Sequence, residues 1–310
     1  VAEVLDNSMD EAVAGHASRI EVELGADYFV TVRDNGRGIP IDPHPKFKDK
    51  SALEVIVTTL HSGGKFSGKI YQTSGGLHGV GLSVVNALSD DLTVEVAREK
   101  QLHVQSFKRG KPTGKLKNAG NVNRRGTTVR FHADPEIFGT QTQFKPALLY
   151  RMCRSKAYLF RGVEIRWSCD PALIAADDDT PAQEVLHFPG GLADYLASTL
   201  DGRKTVTATP FNGQAEFPEA QGRVEWATAW PVDGDGFLNS YCNTVPTPEG
   251  GTHEAGLRSA LARGLRSYGE LTNNRKAGII TAEDVTGGAA MLLSVFIRDP
   301  QFQGQTKEKL

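Results

Sequence analysis

The sequence predicts a two-domain protein of the α+β class. Its 310 residues exceed what one hydrophobic core usually organises. Several short runs alternate apolar and polar residues, as in 19–24 and 92–96, which is typical of half-buried antiparallel strands. A loop with four glycines at 75–81 leads directly into the apolar run 82–88, a pattern that fits a buried helix.

The composition disfavours several classes of protein. Hydrophobic residues make up 39% of the chain, and its net charge of −2 predicts no general attraction to nucleic acid. No run reaches the ~18 apolar residues of a membrane span, and no signal peptide is visible. The three cysteines form no C-x-x-C pair, which favours a reducing cytoplasm over a disulfide framework or a zinc site. Because the chain opens inside a helix-like pattern without a start methionine and ends abruptly, we expect a fragment.

The first forty residues predict a helix, a hairpin and a glycine loop. A helix over 1–15 has Glu3 and Asn7 one turn apart on its polar face, with Gly15 as its C-cap. Its apolar stripe consists of Ala2, Leu5, Met9 and Ala12 or Val13. Strands over 19–24 and 29–33 follow, and the second ends at Asp34. Asp34 has two interpretations: a functional group at a strand end, or a turn-initiating residue before Asn-Gly.

The next segment predicts a capped helix and two glycine-rich stretches. Ser51 and Glu54 fit a capping box at the start of a helix through Leu53, Val57 and Leu60. Residues 61–73 are basic and weakly patterned, which fits either a lid or a disordered surface loop. The glycines of 75–81 precede a helix with Leu82, Val85 and Leu88 or Ala87 at helical spacing. Such a loop favours phosphate binding, and a flexible hinge before a core helix is the alternative.

The middle of the chain predicts antiparallel strands over 92–96, 102–107 and 126–131, a helix over 145–158 and a strand over 163–167. Residues 98–130 contain ten Lys and Arg against one acid. This run fits either a patch that faces DNA or phosphate or, as we favour, a solvated hairpin edge.

A second domain is predicted from about residue 188, which divides the chain into 1–187 and 188–310. Its predicted elements are helices over 192–200 and 254–271, the latter capped near Thr252, and strands over 224–227, 240–243 and 292–297. Residues 233–236 lack the spacing of a calcium loop and predict a turn.

Several strings in the sequence resemble those of one protein superfamily. They are Glu3 with Asn7, DNGRG (34–38), GGLHGVG (75–81) and the later Gly126 with Thr127. In this order they resemble the GHKL (Bergerat) ATPases, which include gyrase, the heat-shock chaperone, sensor histidine kinases and MutL. The longer strings VLDNSMDEA (4–12), LHSGGKF (60–66), NTVPTPEGGTH (243–253) and QFQGQTK (301–307) resemble the ATPase subunits of bacterial type II topoisomerases. KAYLFRGVEI (156–165) and DYLA (194–197) favour topoisomerase IV over its sister enzyme gyrase.

The resemblance implies a fold and a nucleotide site. The fold is an α/β sandwich with a mixed, largely antiparallel sheet, followed by a smaller α/β transducer domain. Glu3 would be the general base for the water that attacks the γ-phosphate, and Asn7 would hold Mg²⁺. Asp34 would accept from the adenine amino group, Thr127 would support the same end, and Gly38 would leave room for the base.

Further residues are implied around the triphosphate. Gly76, Gly79 and Gly81 would wrap it with backbone N–H groups, and Lys65 would add charge as the lid closes. Gln305 and Lys307, from the second domain, would reach the γ-phosphate. The remaining nucleotide contacts that the resemblance implies are Arg37, Pro40, Tyr71, Leu77, His78, Val80 and Arg98, the last at the outer edge of the adenine pocket.

The resemblance also implies partners and leaves alternatives. An ATP-hydrolysing subunit of this family forms a homodimer on ATP binding, acts on DNA within the full enzyme, and joins a separate DNA-cleaving subunit through other regions. We expect a cytoplasmic, nucleoid-associated protein with no membrane partner. In the family a segment before Val1 reaches the partner subunit, so we expect this chain to dimerise poorly. A chaperone-like or kinase-like member of the superfamily and a nucleotide-binding module without turnover are the alternatives.

Overall fold

A computed structural model describes residues 1–60, 80–139, 143–218, 221–304 and 306–310. The chain forms two compact units, Val1–Phe188 and Pro189–Leu310. Among the described residues, no helix combines the length and apolar character that a bilayer crossing needs.

The first unit is a mixed sheet with helices. Its helices are α1 (Ala2–Val13), α2 (Ala52–Thr58), α3 (Gly81–Ala87), α4 (Pro135–Phe138) and α5 (Pro146–Leu159). Its strands are β1 (Arg19–Leu24), β2 (Val30–Asp34), β3 (Ser89–Arg98), β4 (Gln101–Lys108), β5 (Lys111–Pro112), β6 (Lys117–Asn121), β7 (Gly126–Ala133), β8 (Glu164–Cys169) and β9 (Gln183–Leu186). They lie in the order β5-β4-β3-β7-β2-β1-β8-β9, with β6 also paired to β4. The β1–β8 pair is parallel and the other pairings described for this sheet are antiparallel.

One face of this sheet carries the core. Ile20, Val22 and Leu24 alternate inward along β1, as their period of two predicts. Leu5 and Met9 of α1 join them in one apolar cluster with residues of α2, α3 and α5. α1 is therefore packed against the sheet over most of its length, and its polar side chains must find partners within the fold.

The second unit is smaller. Its helices are α6 (Leu192–Leu200), α7 (Thr252–Leu271) and α8 (Ala282–Thr286), and its strands are β10 (Phe211–Glu216), β11 (Gly222–Ala229), β12 (Phe237–Cys242), β13 (Val245–Pro246) and β14 (Ala290–Ile297). The sheet order is β10-β11-β14-β12-β13, with β12 parallel to β14. β14 is buried at almost every position, which its continuous apolar run predicts.

Four local predictions were wrong. Leu60 lies beyond the end of α2 and is exposed, and Ala2 is exposed on α1. On α3 the buried face contains Leu82, Ser83 and Asn86, while Ala87 and Leu88 are exposed. Thr252 does not cap α7, because it is the first helical residue and the cap position belongs to Gly251, with φ 146°.

The basic run forms a solvated sheet edge, the interpretation that we favoured. β5 and β6 are exposed throughout. Arg109, Arg124 and Arg130 form ion pairs with acidic residues of the same unit. Lys108 lies directly opposite Lys111 on the exposed β4–β5 ladder, where charged side chains discourage pairing with another chain.

Candidate functional site

The centre of the candidate site is the carboxylate of Asp34, the last residue of β2. Asp34 is 7% exposed. Its Oδ1 accepts from the backbone N–H groups of Gly36 (2.9 Å) and Thr127 (3.2 Å), and its Oδ2 accepts from Ser8 Oγ (3.2 Å). Burial raises the pKa of Asp34 to about 6, against the opposing effect of these hydrogen bonds. The bond from Gly36 to Oδ1 confirms that Asp34 initiates the predicted turn. This bond does not use Oδ2, so Asp34 can have a binding role as well.

A glycine on the neighbouring strand allows this arrangement. Gly126 begins β7 with φ 115°, and a Cβ there would lie 2.0 Å from the backbone oxygen of Asp34. This close approach brings the N–H of Thr127 to the carboxylate. Thr127 Oγ1 in turn accepts from the backbone N–H of Ile39 (3.2 Å), which fixes the loop that follows β2.

The same loop is tied to α1 through a bidentate ion pair. Arg37 Nη2 donates to Glu11 Oε1 (2.7 Å), and Arg37 Nε donates to Glu11 Oε2 (3.2 Å). The backbone N–H of Arg37 also donates to Glu11 Oε2 (3.0 Å). A planar guanidinium held this way has little rotational freedom, so the ion pair fixes the loop to α1.

Glu3 and Asn7 lie on the N-terminal half of α1, one turn apart. The carboxylate of Glu3 lies directly against the start of α3, since a Cβ on Gly81 would be 2.2 Å from Glu3 Oε2. Gly81 is the last glycine of the glycine-rich loop, and Val80 is the residue before the helix. The structure therefore brings Glu3 to the end of the segment that the sequence predicts to bind phosphate.

Gly38 and Arg98 meet on another side of the site. Gly38 has φ 78°, and a Cβ there would lie 3.0 Å from Arg98 Cγ and 3.1 Å from Val96 Cγ1. Arg98 ends β3, and its Nη1 donates to the backbone oxygen of Gly38 (3.4 Å). Pro40 is exposed two residues further on.

Two family models match the chain in sequence. The model described as "Histidine kinase-, DNA gyrase B-, and HSP90-like ATPase" matches residues 1–137, and that described as "DNA gyrase B" matches residues 191–310. In structure, the chain is similar to the 43K ATPase domain of Thermus thermophilus gyrase B in complex with an aminocoumarin. The identity is 35%, the TM-score is 0.78, and the match covers 99% of this chain and 77% of the other. The chain belongs to the family of bacterial type II topoisomerase ATPase subunits.

Further comparisons place it within this topoisomerase family. The topoisomerase IV ATP-binding domain of Francisella tularensis, in complex with a small-molecule inhibitor, is 33% identical with a TM-score of 0.78, over 99% of this chain and 79% of that one. The B-subunit of DNA topoisomerase 4 from Caulobacter vibrioides is 60% identical over the whole chain, and that from Bartonella bacilliformis is 57% identical. The match covers 45% of each of these two proteins, so the chain spans about half their length. The predicted family and fold class are confirmed.

The side chains of the site offer oxygen acceptors of the kind that adenine and Mg²⁺ bind. Asp34 Oδ2 accepts from Ser8 Oγ, and a carboxylate oxygen can accept a second hydrogen bond, such as one from an amino group. Within the described part of the chain, no three His, Cys, Asp or Glu side chains form a metal cluster. The Mg²⁺ that the family implies would be held by the amide oxygen of Asn7 together with phosphate and water oxygens, a ligand set that suits this ion.

Several predicted site residues are not among those described in the first unit. Lys307 belongs to the second unit, where its side chain is 8% exposed and its φ is 60°. The others lie outside the described residues: Lys65, Tyr71, Gly76, Leu77, His78, Gly79 and Gln305.

Sequence reasoning missed three polar residues of α1. Ser8 and Glu11 support the site as described above, and Asp6 Oδ1 forms an ion pair with Lys156 Nζ of α5 (2.6 Å). Both partners are buried. The string VLDNSMDEA contained the signal, because a helix with polar residues at 6, 7, 8, 10 and 11 has polar groups on more than one face and cannot expose them all.

Proposed function

We propose that this chain binds and hydrolyses ATP as part of the B-subunit of a topoisomerase IV. One observation carries the proposal: Glu3 lies against Gly81 at the end of the glycine-rich loop, on the same helix that orients Asp34 through Ser8. The proposed base is thereby on α1 and next to the last glycine of the proposed phosphate loop, and the proposed adenine acceptor is bonded to the same helix. Relatives between 41% and 60% identity that carry the topoisomerase 4 name support topoisomerase IV over gyrase.

The chemistry follows from the residues. Asp34 Oδ2 accepts from the exocyclic amino group of adenine, and guanine is rejected because it presents an oxygen there. Glu3 polarises the water that attacks the γ-phosphate and takes its proton, an effect worth roughly 10²–10⁴ in rate. Mg²⁺ held at Asn7 neutralises charge on the phosphates. Lys307 donates to the γ-phosphate, so its partner is lost on hydrolysis.

In the full protein this cycle serves DNA strand passage. ATP binding closes a homodimer of the ATPase subunit, and DNA is the substrate of the complete enzyme. The DNA-cleaving subunit joins through regions beyond this chain. The expected setting is the cytoplasm, at the nucleoid.

Phosphate release tests the ATPase assignment. With ATP and Mg²⁺ the chain should release phosphate, and GTP should be a poor substrate. A chain that binds ATP with no turnover above the Glu3→Gln background would instead be a nucleotide-binding module. Relaxation and decatenation by the full enzyme, with and without ATP, would separate topoisomerase IV from gyrase.

A further inference from the structure

The residues that follow Lys307 are fastened to the segment that precedes α7. The N–H of Glu249 donates to the backbone oxygen of Glu308 (2.9 Å), and the N–H of Leu310 donates to that of Gly250 (3.1 Å). The N–H of Thr252 donates back to the oxygen of Leu310 (3.2 Å). These three backbone bonds hold 308–310 at the start of α7, immediately after Lys307.

Gly251 makes this approach possible. Its φ of 146° lies in the region that favours glycine, and a Cβ there would be 2.1 Å from the oxygen of Leu310 and 2.9 Å from its nitrogen. Both atoms belong to the backbone, so they cannot swing aside as a flexible side chain would. Any other residue at 251 must therefore push 308–310 away.

The segment around Gly251 is itself held by a polar network whose centre is buried. Ser240 Oγ donates to Glu254 Oε1 (2.7 Å) and lies 2.6 Å from Thr247 Oγ1, which lies 3.0 Å from His253 Nε2. Ser240 and Thr247 are 4% and 1% exposed, and burial lowers the pKa of His253. All three hydrogen bonds can form at once if His253 Nε2 donates to Thr247 Oγ1, Thr247 Oγ1 donates to Ser240 Oγ, and Ser240 Oγ donates to Glu254. These links tie Thr247 and the first turn of α7 to β12, while His253 Nδ1 is buried without a hydrogen-bond partner among the described residues.

Lys307 therefore directly precedes a segment, 308–310, whose backbone is held by hydrogen bonds. Its own backbone is left-handed, which is uncommon for a residue other than glycine and persists only where the surroundings hold it. A lysine side chain has several rotatable bonds, so its contact with a ligand depends on how firmly its backbone is placed.

We infer that Gly251 is a positioning residue for Lys307. It admits the 308–310 segment against the start of α7, and that docking sets the place of Lys307 in the second unit. The inference rests on the proposed contact between Lys307 and the γ-phosphate, and it adds the device that keeps the lysine ready for that contact.

Labelling of Lys307 tests the positioning without any nucleotide. An amine-reactive reagent and mass spectrometry would report the modified fraction of Lys307 in the parent, in Gly251→Ala and in Gly256→Ala. Gly256 lies in α7 with nothing within 4 Å of a built Cβ, so it is a matched control for the same chemical change. We expect labelling of the buried Lys307 to rise several-fold in Gly251→Ala alone. Equal labelling in all three proteins would overturn the inference.

A nucleotide comparison tests the functional consequence. Gly251→Ala should weaken a non-hydrolysable ATP analogue by about tenfold, as for loss of one charge-assisted contact, and ADP by less than about twofold. Lys307→Ala is the reference. If Lys307→Ala separates the two nucleotides and Gly251→Ala does not, the positioning inference is wrong. If Lys307→Ala affects both equally, the proposed role of Lys307 is wrong, and labelling alone decides the positioning.

A milder pair of variants covers the case in which Gly251→Ala does not fold. Thr252 is the first residue of α7, where proline is tolerated. Thr252→Pro removes the N–H that donates to Leu310, and Thr252→Ala keeps it. Labelling of Lys307 should rise in the proline variant and stay at the parent value in the alanine variant. No difference between this pair would also overturn the inference.

Discussion

Asp34→Asn should weaken ATP binding and stabilise the protein without ligand. The amide oxygen can keep the bonds from Gly36 and Thr127, so the loop remains in place. The amide nitrogen then occupies the other edge, where a donor faces the amino group of adenine. An amino group left without its acceptor costs about 1–3 kcal/mol, which is about five- to 150-fold in Kd.

The stability change has the opposite sign. Burial raises the pKa of Asp34 from the usual value of about 4 to about 6. With about 1.4 kcal/mol for each pKa unit, keeping this carboxylate ionised at neutral pH costs the fold at most about 3 kcal/mol. The neutral amide avoids that cost. Asp34→Asn should therefore raise the free energy of unfolding at pH 7, and the gain should shrink as Asp34 becomes protonated below about pH 6.

The sign of the pH dependence follows from proton binding. Because the folded state holds the proton of Asp34 more tightly than the unfolded state, this residue's contribution to stability decreases as the pH rises from about 4 to about 6. Urea unfolding at pH 5 and pH 7.5 would measure it, and calorimetry would give the ATP affinity. Asp42→Asn, an exposed carboxylate in the loop after β2, controls for the loss of one charge. Unchanged ATP affinity in Asp34→Asn, or a loss of stability at pH 7.5, would refute the reasoning.

Four further outcomes are expected. Glu3→Gln should keep ATP binding and lower phosphate release by about 10²-fold or more, and turnover near the parent rate would remove Glu3 as the base. Lys307→Ala should weaken a non-hydrolysable ATP analogue by about 1.5–3 kcal/mol, measured by calorimetry, and leave ADP nearly unchanged; equal losses would contradict a γ-phosphate contact. Lys156→Met should cost about 3–5 kcal/mol in urea unfolding because it leaves Asp6 buried without its ion pair, and a loss below about 1 kcal/mol is the contrary result. The contribution of His253 to stability should fall as the pH drops below about 6.5, since its pKa is lowered by burial and the unfolded state takes up the proton first. Replacing His253 with Gln should flatten that slope, and an unchanged slope would assign it to other groups.

Local patterns in the sequence predicted most of the elements. The alternation of 19–24 gave β1, and the N-cap at Ser51 is confirmed by its bond from the N–H of Glu54 (3.1 Å). The strand β10 was missed because FNGQAE has no apolar alternation, and it forms through its pairing with β11. Strand pairing of this kind depends on the neighbouring strand, and the β-propensity of a segment's own residues contains no information about that neighbour.

In the candidate site, too, some residues were predicted from local sequence patterns, whereas the contacts between distant residues were not. Glu3, Asn7 and Asp34 were found through family strings, and the structure adds how close Glu3 comes to Gly81. The partners of α1 could not be predicted, because Lys156 lies far away in the sequence and nothing near Asp6 indicates it. An apolar stripe assigns one face of a helix to the core and leaves its other faces undetermined.

The bond between Thr127 and Asp34 joins residues 93 positions apart in the sequence. It forms only when β7 has paired with β2, which closes a long loop and is therefore a slow step in folding. A partly folded chain without this pairing lacks the N–H group of Thr127 at the carboxylate of Asp34, the group proposed to accept from adenine. If Asp34 binds adenine as proposed, ATP protects first units in which β7 has paired with β2 and gives no protection to units that lack this pairing.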